Sequence, residues 1–298
     1  MRYFVLFLIL FNTGCMNKKC KMPGTITQKS VAGLNTVLHN EQKFIKVHAA
    51  EFLLWLNSGN DEVKKVFLKE NEQFGNEPKY RIGIWRVLAQ ASTNDTEKKE
   101  WIEKVMNVFT DTTAPDRIHA AETLAKLKTS PLSRFPEITT KTLNDTNNIL
   151  SVYTMWATSY TSKKEEENNK TEFINYLFTS ADTTIRKISA YVLAKSKNLS
   201  VEEWETLADK ALQEPAASPL KQTYLNTAFV TFAGGNTEKH RRIKEELING
   251  YKNCEDAAIA ISYLDNENSE GLYEPNSPLA ADVRAYAAYA ILKINNRK

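Results

Sequence analysis

The sequence predicts an all-α chain built from stacked helix pairs, and three observations predict it. Glycine and proline are scarce, 10 and 9 in 298 residues, about half their usual joint share. A chain of many short strands would need more turn formers. One segment pattern recurs along the chain at steps of 30–38 residues, the range in which a repeat is one helix pair. The stretches between copies carry apolar residues at helical spacing, stripes that no helix could bury alone. The remaining composition is ordinary for a globular chain. Lysine and arginine total 39 against 36 acids, a net charge of +3, which argues against a nucleic-acid binder relying on whole-chain charge. Cys15, Cys20 and Cys254 are too few for a disulfide framework.

The amino terminus is read first. Arg2 precedes an unbroken apolar run from Tyr3 to Phe11, too short for a bilayer, which needs about 20 apolar residues, but suited to a signal-peptide core. The following Gly14-Cys15 resembles the lipobox of bacterial lipoproteins, although Asn12 stands where that pattern usually has leucine. The resemblance implies a signal peptide over residues 1–14, lipid on Cys15, and a protein anchored to a bacterial envelope membrane and facing the periplasm. The alternative is an ordinary secretory signal with an incidental cysteine. Residues 15–40 read as a tether and lead-in, with a modest helical signal from Val31 to Leu38. The helix-pair region is 41–298.

The recurring pattern is strongest in five copies, Lys46 to Leu56, Arg81 to Ala89, Arg117 to Leu127, Arg186 to Ala194 and Arg284 to Ile294. Weaker copies fall in Ser151 to Ala157, Tyr224 to Phe232 and Asp256 to Leu264. Partner helices fit the gaps. Asp61 to Glu72 carries Val63, Val66 and Phe67, and Thr96 to Phe109 carries Trp101, Ile102, Val105 and Val108. Ser200 and Glu203 form a capping box before Trp204, Leu207, Ala208 and Leu212. Thr237 to Gly250 ends in a glycine suited to a C-cap.

Asp282 and Arg284 followed by Ala287, Ala288 and Leu292 resemble the second helix of a HEAT-type repeat, including the PBS-lyase-like variety. Asp182, Arg186, Ala190 and Leu193 match the same pattern, as do Asp116, Arg117, Ala121 and Leu124. The resemblance covers roughly residues 41–298 and implies a right-handed α-solenoid of about eight HEAT-like helix pairs. It also implies an aspartate in the intra-repeat turn and an arginine in the second helix. Such a family fixes architecture and says little about function. Some HEAT-type enzymes are di-iron hydroxylases with His-Glu ligand dipeptides, and none of His39, His48, His119 or His240 is followed by glutamate.

Candidate chemistry is sparse. His48-Ala49-Ala50-Glu51 and His119-Ala120-Ala121-Glu122 are identical tetrapeptides whose His and Glu share a helix face. They lie two repeats apart, roughly 16–20 Å at the usual interhelix spacing, too far for one metal. No metal or other cofactor is expected. The register instead predicts an ion ladder, because Glu51, Arg86 and Glu122 occupy one repeat position. Arg86 should then reach Glu51, Glu122 or both. A second position is basic throughout (Lys46, Arg81, Arg117, Arg186 and Arg284), read as the family's structural arginine. Trp85 stands where other copies have alanine, so Arg81, Trp85 and Arg86, with Trp55, form the candidate binding patch. The cluster Lys239, Arg241 and Arg242 is flanked by acids and reads as a solvated face, and Lys163 to Glu167 as a charged loop or helix end. There is no HExxH, glycine-rich phosphate loop, GxSxG or CxxC.

The sequence therefore predicts a non-catalytic envelope lipoprotein, a scaffold that meets an envelope protein through one extended solenoid face. The alternative is a carbohydrate- or small-ligand-binding lipoprotein using exposed aromatics around Trp85. No nucleic-acid partner is expected.

Overall fold

The computed structural model describes residues 24–145, 148–250 and 280–295. Among the described residues there are fourteen α-helices and no strand. Two kinds alternate. The odd-numbered helices are α1 (Gly24–Asn40), α3 (Asn60–Phe74), α5 (Asp95–Thr110), α7 (Pro136–Asn144), α9 (Lys163–Thr179), α11 (Val201–Gln213) and α13 (Thr237–Gly250). The even-numbered are α2 (Lys43–Trp55), α4 (Tyr80–Ala91), α6 (Arg117–Lys126), α8 (Ile149–Thr158), α10 (Thr183–Ser196), α12 (Lys221–Val230) and α14 (Ala281–Asn295).

Sequence pattern decides which helices lie inside. Most odd helices carry one narrow apolar stripe: α9 buries Asn169, Phe173 and Leu177, and α3 buries Val63 and Phe67. Even helices bury a larger share of their residues, ten of twelve in α4 and five of ten in α6 and α12. Each even helix therefore packs on odd helices behind it and on even helices beside it, from α2 against α4 through to α10 against α12. Each fully buried leucine or phenylalanine in this layer contributes roughly 1.5–3 kcal/mol by leaving water. Helix starts are set by short polar caps: Asn94 for α5, Asn148 for α8, Ser162 for α9 and Asp182 for α10. Ser200 and Glu203 make the reciprocal capping box of α11.

Neighbouring even helices run parallel. At their amino ends Lys43 bonds Glu77 and Phe44 meets Tyr80, while at their carboxyl ends Trp55 bonds Gln90. Pairs 35 residues apart recur further on, as in Arg81 with Asp116 and Trp156 with Tyr191. Gly83 permits the close approach of α4 to α2, since a Cβ there would stand 3.0 Å from a Val47 methyl.

Several expectations change. Residues 24–40, read as part of a lead-in, form α1 and bury Leu34, Val37 and Leu38. The Lys163–Glu167 run, read as a charged loop or helix end, is the helix end that opens α9. The larger change concerns curvature. In a straight stack, α2 and α10 would be roughly 32–40 Å apart, four steps of interhelix spacing. Instead Lys195 Nζ of α10 lies 4.7 Å from the Trp55 ring of α2. The last described helix closes the other side, because α14 packs on both α1 and α2. His48 Nδ1 meets Asp282 Oδ1 at 2.9 Å, and Phe52 stacks on Tyr289 with ring centroids 4.6 Å apart. Among the described residues the even layer curls inward. The Asp256–Leu264 copy, Cys15, Cys20 and the signal segment lie outside the described residues.

Candidate functional site at the carboxyl ends of the even helices

The ladder position lies at the centre of the curl. Arg86 donates two bonds to Glu51, Nε to Oε1 at 2.8 Å and Nη2 to Oε2 at 3.0 Å, and a third from Nη1 to Thr123 Oγ1 at 3.1 Å. Gln90 Nε2 donates to Glu51 Oε1 at 2.8 Å. Glu122 takes Lys126 at 2.7 Å instead of Arg86. Glu51 and Arg86 are only 3% and 4% exposed, so each needs the other to offset lost hydration. Burial pushes the Glu51 carboxyl up, but Arg86 and Lys126 outweigh it and hold it at about 2. Burial likewise opposes the Arg86 charge, and Glu51 and Glu122 raise its pKa above the ordinary value.

Three tyrosines surround this network: Tyr153 from α8, Tyr191 from α10 and Tyr286 from α14. Burial and then the nearby negative charges raise all three above the ordinary phenol value. They remain protonated hydroxyls and hydrogen-bonding groups, not bases.

One turn further toward the carboxyl ends, the network reaches solvent. Trp55, the last residue of α2, is 44% exposed. Its Nε1 donates to Gln90 Oε1 at 2.9 Å, so Gln90 joins it to Glu51. Tyr289 stands 5.7 Å away, edge-on. The Lys195 ammonium covers Trp55 at 4.7 Å and Tyr191 at 5.3 Å, and Lys126 lies 5.7 Å from Tyr191. The result is an orientationally fixed aromatic face with cations over it. Beside it, bordered by the same Lys195, a cavity of about 150 Å³ opens between α8, α9 and α10.

The structure divides the expected binding patch. Trp55 and Arg86 belong to this site, but Trp85 does not. Trp85 is 7% exposed, its Nε1 donates to Asn71 Oδ1 at 3.0 Å, and Arg81 and Lys104 lie over its ring. The large ring fills the groove between α3, α4 and α5 instead of protruding. Arg81 makes two bonds to buried Asp116, at 2.7 and 3.1 Å. Arg117 donates to the Phe109 carbonyl and Thr142, Arg186 to the Ser180 carbonyl and Tyr224, and Arg284 lies 4.0 Å from Glu41. The basic series ties each helix pair to its neighbours. It does not form one strip.

The histidines part company as well. His48 sits on Asp282, while His119 packs near Phe44, its buried Nδ1 without a hydrogen bond. Among the described residues no three His, Cys, Asp or Glu side chains gather as a metal site. Lys239 pairs with Glu205 and Asp209, and Arg241 with Glu238 and Glu245. Sequence reasoning missed Gln90, Lys195, Tyr191 and Tyr289. The repeat register could have found them: Gln90 and Lys195 share the position of Trp55, and Tyr191 and Tyr289 share that of Glu51.

No family model matches the chain, and no curated protein matches it. A solved structure titled as the crystal structure of an engineered protein is similar at 15% identity, over 90% of this chain and 68% of that one, with a TM-score of 0.33. That likeness carries no argument about fold or function.

Proposed function

We propose that this chain is a non-catalytic binding protein of a bacterial cell envelope, whose ligand docks on the aromatic face around Trp55. The observation that supports it is the exposed Trp55 ring, held by Gln90 and Tyr289 and covered by Lys195. A ring fixed in orientation and partly exposed offers a stacking surface to a flat ligand. The ladder beneath offers hydrogen bonds and positioning rather than proton transfer, because its acids are ion-paired and its tyrosines hold their protons. A carbohydrate or another small polar ligand suits such a face. The helix order and the parallel even helices support a HEAT-like right-handed α-solenoid of about eight pairs, here curled so that its described ends meet. Membrane attachment rests on the Gly14-Cys15 pattern. No described helix is long and apolar enough to cross a membrane.

Replacing Trp55 with alanine should weaken ligand binding at least tenfold in a glycan and metabolite screen, with the unfolding temperature unchanged. Undiminished binding by that variant would refute the reading. Replacing Cys15 with serine should release the protein from membranes into the soluble fraction; retention would rule out lipid as the anchor.

A second reading, the protein scaffold, is favoured by the opposite face. Phe44, Phe74 and Ile118 are exposed at or near the amino ends of α2, α4 and α6. Capture of an envelope protein from solubilised membranes, lost when Phe44 and Ile118 become serine, would support it.

A further inference from the structure

Six even helices send a polar side chain to the centre of the curl: Glu51, Arg86, Glu122, Tyr153, Tyr191 and Tyr286, from α2, α4, α6, α8, α10 and α14. Glu51, Arg86, Glu122 and Tyr191 occupy one repeat position, and Tyr153 and Tyr286 lie one turn nearer the amino ends. Arg86 is within electrostatic reach of all three phenols. Packing fixes two of the rings. Tyr286 lies edge-on to Phe52 at 4.7 Å, and Tyr191 edge-on to Trp156 at 5.7 Å.

The rings are held, but their hydroxyls are not answered within the protein. Tyr80 and Tyr224, which are fully buried, donate to Glu70 and to the Leu177 carbonyl. Among the described residues, the hydroxyls of Tyr153, Tyr191 and Tyr286 have no such partner, and each side chain is only half-buried. Half-buried hydroxyls take their partners from the solvent side, where a ligand's own hydroxyls can stand in for water.

The charges around them are already spent on one another. Arg86 gives Nε and Nη2 to Glu51 and Nη1 to Thr123. Glu122 is paired with Lys126 and His48 with Asp282, and Lys195 is not free either. An ionised ligand would lose hydration here with no counter-charge to offset the loss. A phenol both donates and accepts, as the hydroxyl of a sugar does. The aromatic face borders the same space, because Lys195 lies over both Trp55 at 4.7 Å and Tyr191 at 5.3 Å.

We propose that the ligand is an uncharged sugar, whose hydroxyls are read by Tyr153, Tyr191 and Tyr286 while Trp55 packs against its ring. The proposal rests on the ligand reading above and adds the ligand's charge and the groups that select it.

Titration calorimetry on the full chain in detergent tests it, with D-glucose, D-galactose and D-mannose against D-glucuronate and D-glucosamine. At least one neutral hexose should bind, tenfold or more tighter than either charged sugar. Tyr153→Phe, Tyr191→Phe and Tyr286→Phe keep the ring and remove only the hydroxyl. Each should weaken the neutral hexose threefold to tenfold, the loss of one neutral hydrogen bond, and leave the unfolding temperature unchanged. Binding weakened by these three variants but not by Trp55→Ala would support the tyrosine centre and remove the aromatic face from the site. Binding weakened by Trp55→Ala, with the phenylalanine variants binding as wild type, would keep the face and overturn the proposal. A lower unfolding temperature with unchanged affinity would make the hydroxyls structural and overturn it too. A charged sugar bound as tightly as the neutral ones would overturn the neutral class, and no sugar bound by the wild type would overturn both readings.

Discussion

Glu51 and Arg86 join two helices through a pair of charges that neither could bury alone. Removing one partner leaves the other uncompensated, so Glu51→Gln should cost about 3–5 kcal/mol in chemical denaturation. Replacing both together with leucine and methionine should cost far less, and equal losses for the single and double variants would contradict that account. The same pair sets a pH dependence. The Glu51 carboxyl is held at about 2 against an ordinary 4.5. Its contribution is therefore complete above the ordinary value and is lost as pH falls toward 2, on the order of 3 kcal/mol in all. Glu51→Gln should flatten the stability profile in that window. The pair was legible beforehand because acid and base occupy one repeat position, 35 residues apart. Trp85 was not, because its pattern recorded a large ring at a small-residue position and nothing about the groove that accepts it.

At the scale of the element, helices with local signals could be placed and the others could not. The Ser200–Glu203 box opens α11 as its residues require, and Ser200→Ala should cost about 1 kcal/mol, measured by thermal unfolding. A change under a few tenths would mean that water replaces the cap. The even helices were legible from their arginine-and-alanine pattern. By contrast, α9 buries only Asn169, Phe173 and Leu177, a stripe too thin to mark the helix in the sequence. Likewise α1 is a polar sequence with a few apolar residues, and becomes a packed helix because α14 and α2 cover it. Tertiary burial decides where propensity is weak.

For the molecule as a whole, period and order are written in the sequence but curvature is not. It is the sum of small rotations between successive pairs, and no single residue encodes it. Trp55 and Lys195 occupy one repeat position four repeats apart, and only the curl brings them together, so the candidate site could be only half seen from sequence. Truncation after residue 280 should uncover the α1–α2 side that α14 now covers. The expected result is faster amide exchange in α1 and α2 than in α8, together with a lower unfolding temperature. Unchanged protection in α1 would show that α14 contributes nothing to holding that end.

The junction between His48 and Asp282 has a kinetic meaning of its own. Most contacts between neighbouring pairs join residues about 35 positions apart, and this one joins residues 234 apart. Chain-closure entropy grows only logarithmically with length, about 0.6 kcal/mol for each doubling, so the cost is modest once the intervening helices exist. Contacts so distant in sequence still form late, after local pairs have shortened the effective loop. Refolding should thus be sequential, with helicity recovered first and the Phe52–Tyr289 stack appearing last. During that delay the uncovered flank of α2 can receive the terminal helix of a second molecule, an exchange between chains that rises with protein concentration.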